Sequence, residues 1–264
     1  MLFLYDSFTD ANGTLVVNHD PDVGGAWTNL GYDHLGNSRS ALTIQNNRAT
    51  NRSNLYVNQA VPPSNEYEIV APFQVPASTL VNQNSSSTIA LLLARFSSSG
   101  AYGDVEGYVA GYIGELYWGR TWSIGKFQGG VLTELQRGND AAGKYSIQDS
   151  IHERHVRFEV TDAVKRLYVD DILVAETTDN SITQVGQAGA SNGQYTDSGI
   201  LSITATGEGE PEPETFDPED LTVTQVGADV LLEWPAPEMV GATHVDVFRK
   251  AGTDMTPHVP GGGA

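Results

Sequence analysis

The sequence has no cysteine, only 14 Lys and Arg against 33 Asp and Glu, and just 18% charged residues in 264. Without cysteine there is no disulfide framework, no zinc–thiolate centre and no thiol nucleophile. A formal net charge of −19 repels phosphate, which argues against nucleic acid as a partner and against docking on an anionic membrane. Long apolar runs are also missing. The longest, Ile89 to Ala94, is far too short to cross a bilayer, so no membrane insertion is expected. No basic segment followed by an apolar one opens the chain, so the reading predicts no signal peptide and synthesis in a cytoplasm. The N-x-S/T sequons at Asn12, Asn51 and Asn84 are then chance matches. What is present suffices for a core: 39% of the residues are apolar, with 11 Tyr, 8 Phe and 4 Trp among them.

The charge is unevenly spread. Residues 1–206 hold 21 acids and 12 bases, whereas residues 207–264 hold 12 acids and 2 bases. The break falls on Gly207-Glu-Gly-Glu-Pro-Glu-Pro-Glu-Thr215, where Glu alternates with Gly and Pro. Such a stretch repels itself, forms no helix and reads as an extended linker. The expected organisation is therefore a domain over 1–206, a linker over 207–215 and a tail module over 216–264.

The first domain reads as strands. Tyr67, Ile69, Ala71, Phe73 and Val75 alternate with polar or small residues, as do Val156, Phe158 and Val160, and Leu201, Ile203 and Ala205. Period two marks an antiparallel sheet with one face on a core. Ile89–Phe96 is continuously apolar up to Arg95 and reads as a central strand buried on both faces. Leu167–Val174 reads as a hairpin turning at Asp170-Asp171. Leu2–Phe8 and Gly199–Thr206 read as strands whose pairing would cover exposed edges. Many short strands with Gly, Asn and Ser turns predict an all-β antiparallel sandwich.

A resemblance follows from particular residues. Asp6-Ser-Phe8, Gly13-Thr-Leu15, His19-Asp-Pro-Asp22 and Gly25-Ala-Trp-Thr28 resemble the start of concanavalin A-like (laminin G-like) jelly rolls, especially those of bacteriophage virion proteins. Arg157–Val160, Leu167–Val174 and Ile182–Gly186 are similar to that fold's penultimate strands, with Asp171 where a glycine is usual. The tail resembles the first half of a fibronectin type III domain. There Leu221 and Val223 would stand for its first strand, Val230, Leu232 and Trp234 for its second, and Val245, Val247 and Arg249 for its third. The resemblance implies a non-enzymatic virion structural protein, assembled in a host cytoplasm and displayed on the particle as tail fibre, tail tip or capsid decoration. Its implied partners are other virion proteins, further copies of itself and host-surface glycans. The alternatives are a secreted bacterial carbohydrate-binding or adhesion module and, third, a glycoside hydrolase.

Candidate chemistry is sparse. Asp104-Val-Glu106 is similar to part of the E-x-D-x-E motif of glucanases with this fold, but Tyr102 stands where the first Glu would be. The competing reading is two solvated carboxylates. His152-Glu-Arg-His155 has the wrong spacing for a zinc helix. No cofactor is expected. If there is a metal it is calcium, which takes oxygen ligands from loops, with Asp104, Glu106 and Asp197 as candidates. Asp20 and Asp22, flanking Pro21, read instead as turn formers that bond their own backbone. The aromatic set is the stronger binding signal. Tyr102, Tyr108, Tyr112, Tyr117, Trp118 and Trp122 crowd one span, with Tyr108 and Tyr112 on one face. Tyr102, Trp118, Trp122 and Tyr195 are the candidates for a glycan or protein interface, with Tyr102 and Trp122 expected to be exposed.

Overall fold

The computed structural model describes residues 1–51, 54–74, 90–113, 121–138, 153–192, 199–207, 222–226, 229–233, 247–251 and 254–258. The chain divides into two compact units, Met1–Gly209 and Glu210–Ala264. Val75, Trp118, His152, Tyr195, Asp197, Leu221, Trp234 and Val245 lie outside the described residues.

The first unit is a sandwich of two antiparallel sheets. One contains β1 (Leu2–Asp6), β3 (Thr43–Ile44), β4 (Ala49–Thr50), β6 (Tyr67–Gln74), β11 (Glu153–Val160), β12 (Lys165–Val169), β13 (Ile172–Thr177), β15 (Gly199–Ile200) and β16 (Ile203–Gly207). Its order is β13-β12-β11-β6-β15-β4-β3, and β16 also pairs with β6 and carries β1. The other contains β2 (Trp27–Asn29), β5 (Tyr56–Asn58), β7 (Ala90–Ser97), β8 (Glu106–Ile113), β9 (Thr121–Gln128), β10 (Val131–Arg137) and β14 (Gln187–Asn192). Its order is β10-β9-β8-β7-β14-β5-β2. In the second unit β17 (Thr222–Val226) pairs with β18 (Asp229–Glu233), and β19 (Val247–Ala251) pairs with β20 (Asp254–His258).

The alternation of the sequence is the alternation of burial. β6 buries Tyr67, Ile69, Ala71 and Phe73, and β11 buries Val156, Phe158 and Val160, so both turn the same periodicity into one wall of the core. Leu92, Ala94, Tyr108, Ala110, Tyr112, Trp122 and Ile124 form the opposite wall. β7 is the middle strand of its sheet and is buried on both sides. Leu91, Leu93 and Phe96 point away from the sandwich into a second, smaller core with Tyr32, Leu55, Val57, Val105, Val109 and Phe127. Loops cover that outer face, which is why the run over 89–96 lacks a polar side.

The hairpin turns at Asp170 (φ 50) and Asp171 (φ 63). Two successive left-handed residues are the signature of the tight turn that matches strand twist, and Asp is among the few non-glycine residues that tolerate it. Asp170 is also anchored: its carboxylate accepts from Arg154 Nη1 and from the His155 backbone N–H at 3.0 Å. The stretch over 199–206 is not one strand. It breaks at Leu201-Ser202, where the Leu201 N–H turns to Pro72 O at 2.9 Å, and resumes as β16.

β1 and β16 pair antiparallel, and the Met1 amine donates to Gly207 O at 2.5 Å. At the end of β1, Asp6 is fully buried. Its carboxylate accepts from the Phe8 N–H at 2.7 Å, from Trp27 Nε1 at 2.6 Å and contacts His19 Nε2 at 2.9 Å. His19 Nδ1 meets Asp10 at 3.3 Å. Since Trp27 belongs to the facing sheet, one carboxylate ties both sheets and the intervening loop. Asp22, expected to bond its own turn, accepts chiefly from a distant segment, from Ser7 N and Ser7 Oγ, each at 2.8 Å.

Burial opposes charge on His19, but the hydrogen bonds and charges of Asp6 and Asp10 outweigh it and raise its pKa above the ordinary 6.5. A raised folded-state pKa gives stability that is complete below 6.5 and lost as pH rises through the folded value. Thermal midpoints should therefore fall between about pH 6 and pH 8, and His19→Gln should flatten that slope; an unchanged slope refutes the assignment. Asp6→Ala, which leaves buried donors without an acceptor, should cost about 3–5 kcal/mol in urea unfolding.

Candidate functional site

Three sequence-distant segments converge at one end of the seven-stranded sheet, on its outer face. They are the loop from Leu30 to Arg39, the Ser98–Val105 connection between β7 and β8, and the Gly129-Gly130 turn between β9 and β10. Tyr102 is the pin. Its ring meets Tyr32 edge-on at 5.0 Å between centroids and Phe127 at 6.3 Å, and its hydroxyl donates to His34 O at 3.1 Å. Gly36 (φ +77) lies against the ring so closely that a Cβ there would sit 2.9 Å from Tyr102 Cε1. Gly130 (φ +73) leaves similar room for the Tyr102 carbonyl and donates its N–H to Val105 O at 3.3 Å.

The first loop holds its own shape. The Asp33 carboxylate accepts from the Leu35 N–H at 2.8 Å, the Asn37 N–H at 3.0 Å and Arg39 Nε at 2.5 Å. Burial pushes its pKa up, but Arg39 and these N–H donors more than compensate and hold it below the usual carboxylate range. Tyr32 OH pairs with Ser98 Oγ at 2.8 Å, joining this loop to the next, and burial raises the phenol's pKa.

Of the sequence candidates, the fold brings Tyr102, Asp104 and Glu106 together. Tyr102 is half-buried and engaged by Tyr32, Phe127, Gly36 and the His34 carbonyl, so it supports the loops rather than standing free as an exposed platform. Asp104 is exposed at the end of a short 3-10 turn and accepts from Ser99 Oγ. Glu106 is half-buried and opens β8 opposite Ser97. The two carboxylates thus belong to different local structures, not to alternate positions of one strand. Gly36, Asn37 and Ser38 are exposed, and Gly36 lies against the Tyr102 ring.

Trp122, expected at the surface, is fully buried and packs edge-on against Tyr112 at 5.5 Å. It occupies an inward position of β9 paired with Tyr112, and the neighbouring turn signals that suggested exposure lie beyond the strand end. Tyr108 and Tyr112 share the inward face. His155 is exposed and pairs with Glu153 at 3.2 Å. Among the described residues, no group of three or more His, Asp or Glu side chains is gathered as a metal site. Sequence pattern does not disclose the loop-locking roles of Asp33, Gly36 and Arg39; the turn residues Gly36 and Asn37 are the local signal in that stretch.

No known family's sequence pattern matches the chain, and neither does any curated protein. Solved structures do. The VIP36 exoplasmic/lumenal domain in its Ca2+/Man2-bound form superposes with a TM-score of 0.51 at 10% identity, covering 86% of this chain and 97% of that one. Carbohydrate-binding module CBM66 from Bacillus subtilis gives 0.44 at 17% identity, with 69% and 93% covered. Domain 4 of the arabinanase AbnA from Geobacillus stearothermophilus, in complex with arabinotriose, gives 0.43 at 12%, with 78% and 92% covered. The fold is therefore a jelly-roll β-sandwich of the kind seen in lectin domains.

Trp122→Ala should cost about 3–5 kcal/mol in urea unfolding, as a core truncation does. Tyr102→Phe, which loses only the hydroxyl's bond to His34 O, should cost about 1 kcal/mol. A surface-like tolerance of Trp122→Ala would overturn the packing described.

Proposed function

We propose that the first unit is a non-catalytic glycan-binding module whose contact surface is the loop end around Tyr102. The observation that carries this reading is the convergence of three loops, locked by Tyr102 and Asp33, which presents Asp104, Glu106 and Asn37 on a rigid sheet. Pre-set carboxylates and amides suit hydroxyl-rich ligands, because ordering the site beforehand lowers the entropic cost of binding. The likeness to the Man2-bound VIP36 domain supports the same class of ligand. Calcium is the ion to test alongside it, since the VIP36 domain carries Ca2+ in that form and loop carboxylates are its usual ligands. The non-catalytic part rests on the incomplete motif, in which Tyr102 stands where the first carboxylate would be.

The bearer we propose is a phage particle, with other virion proteins and further copies of the chain as neighbours. Support for this narrower step is the resemblance over Asp6–Phe8, His19–Asp22 and Gly25–Thr28. A secreted bacterial adhesion module is the alternative with the same ligand class.

A glycan array probed with the full chain, with and without EDTA, should give selective binding. Asp104→Ala with Glu106→Ala should weaken it about tenfold or more, equivalent to about 1.4 kcal/mol, at an unchanged melting temperature. An array silent in both conditions sinks the sugar reading. Release of reducing ends from a bound oligosaccharide, lost in Glu106→Gln, would replace it with a hydrolase. Peptide mass fingerprinting of purified particles tests the bearer separately.

A further inference from the structure

The same end of the sandwich is closed on its inner side by the segment Thr178–Ile182, and this closure gathers an unusual set of buried cations. Arg95 sits at a bulge in β7 with a left-handed backbone (φ 51), and its side chain is fully buried. Its guanidinium donates to Asn65 O at 2.8 Å, Ile182 O at 2.8 Å and Asp162 Oδ1 at 2.7 Å. Lys165, the first residue of β12, is also fully buried. Its Nζ lies 4.9 Å from the centre of the Tyr108 ring. Asn180 Oδ1, at 3.0 Å, is its one hydrogen-bond acceptor among the described residues. An ammonium has three N–H donors, so a permanent charge here would be poorly satisfied.

We infer that Lys165 and Asn180 join in a spontaneous intramolecular isopeptide bond. The pair has the parts such a reaction needs. The amine is held against the carboxamide by its hydrogen bond to Oδ1 at 3.0 Å, so a small rotation of either side chain brings its nitrogen over the adjoining carbon. Arg95 Nη1, whose shorter bond is to Ile182 O, lies 3.5 Å from the same oxygen and sets a positive charge beside the negative charge that develops on it. Burial, reinforced by the Arg95 charge, lowers the lysine pKa from 10.5 to about 8, against the opposing fields of Asp179, Asp162 and Glu66. About a tenth of the amine is therefore neutral at pH 7 and about half at pH 8. Lys126, held at 2.9 Å from Asp179 Oδ2, and Tyr108, whose hydroxyl donates to Asp179 Oδ1 at 3.0 Å, fix the residue beside Asn180.

The step balances without any co-reactant. The lysine ammonium first loses a proton to a neighbouring carboxylate or to water. The amine nitrogen bonds to the Asn180 carboxamide carbon, and the carbonyl oxygen takes the charge toward Arg95. The bond from that carbon to the amide nitrogen then breaks. One amine proton passes to the departing nitrogen, which leaves as ammonia, and a secondary amide remains.

The test is intact-mass measurement of the full chain, purified and held at about pH 9 to complete the reaction. The expected mass is one ammonia below that of the sequence, with a branched proteolytic fragment joining the Lys165 and Asn180 peptides. Lys165→Met should restore the full mass, and Asn180→Asp should lose water in place of ammonia. A wild-type chain at its full sequence mass overturns the proposal even if both variants fail to fold. So does an ammonia loss that persists in Lys165→Met, because a succinimide at Asn180-Ser181 has the same mass change and needs no lysine.

Discussion

The sandwich hangs on one buried carboxylate. Asp6 ends the first strand of one sheet and receives the indole N–H of Trp27 from the other. It also fixes the His19 ring and the turn at Phe8. Because its oxygens are shared among three partners from separate segments, none of these can shift alone. The apolar wall between the sheets resists separation but is tolerant of sliding, since burial energy is non-directional. A directional bond between the sheets supplies what the apolar wall lacks, namely a fixed register of one sheet on the other.

The far end of the same architecture uses the opposite sign of charge. Arg95 and Lys126 reach under the Thr178–Ile182 segment and hold its carbonyls and side chains, while Tyr108 donates to Asp179 and accepts from the Ile182 N–H at 3.2 Å. Lys126 and neighbouring donors hold the Asp179 pKa down to about 2 despite burial. Outside the sheet, directly across the same strands, Tyr102 and Tyr32 lock the loops of the candidate binding surface. The sheet at this end is thus clamped from both faces, with exposed Asp104 and half-buried Glu106 beside the outer clamp.

Much of this was legible in the sequence because it depends on near neighbours. Alternation over Tyr67–Phe73 and Val156–Val160, the turn at Asp170-Asp171 and the two-sided run over 89–96 are local patterns with one physical reading. The aromatic span was harder. Tyr102 and Trp122 look alike in sequence, yet one supports a loop at the surface and the other fills the core, a difference set by which face of β8 and β9 meets the second sheet. The buried polar groups were invisible. Arg95 and Lys165 are ordinary surface residues until Asp162 and Asn180, 67 and 15 positions away, come round to meet them. Asp6, His19 and Trp27 could be quoted as a pattern, but only the fold reveals that they are one hydrogen-bonded group.

Met1 and Gly207 are hydrogen-bonded neighbours at the edge of one strand pair. A unit built this way is closed at that edge. β16 lies between β1 and β6, so it cannot be peeled from the sheet without uncovering β1, and fraying from either end is opposed by the other.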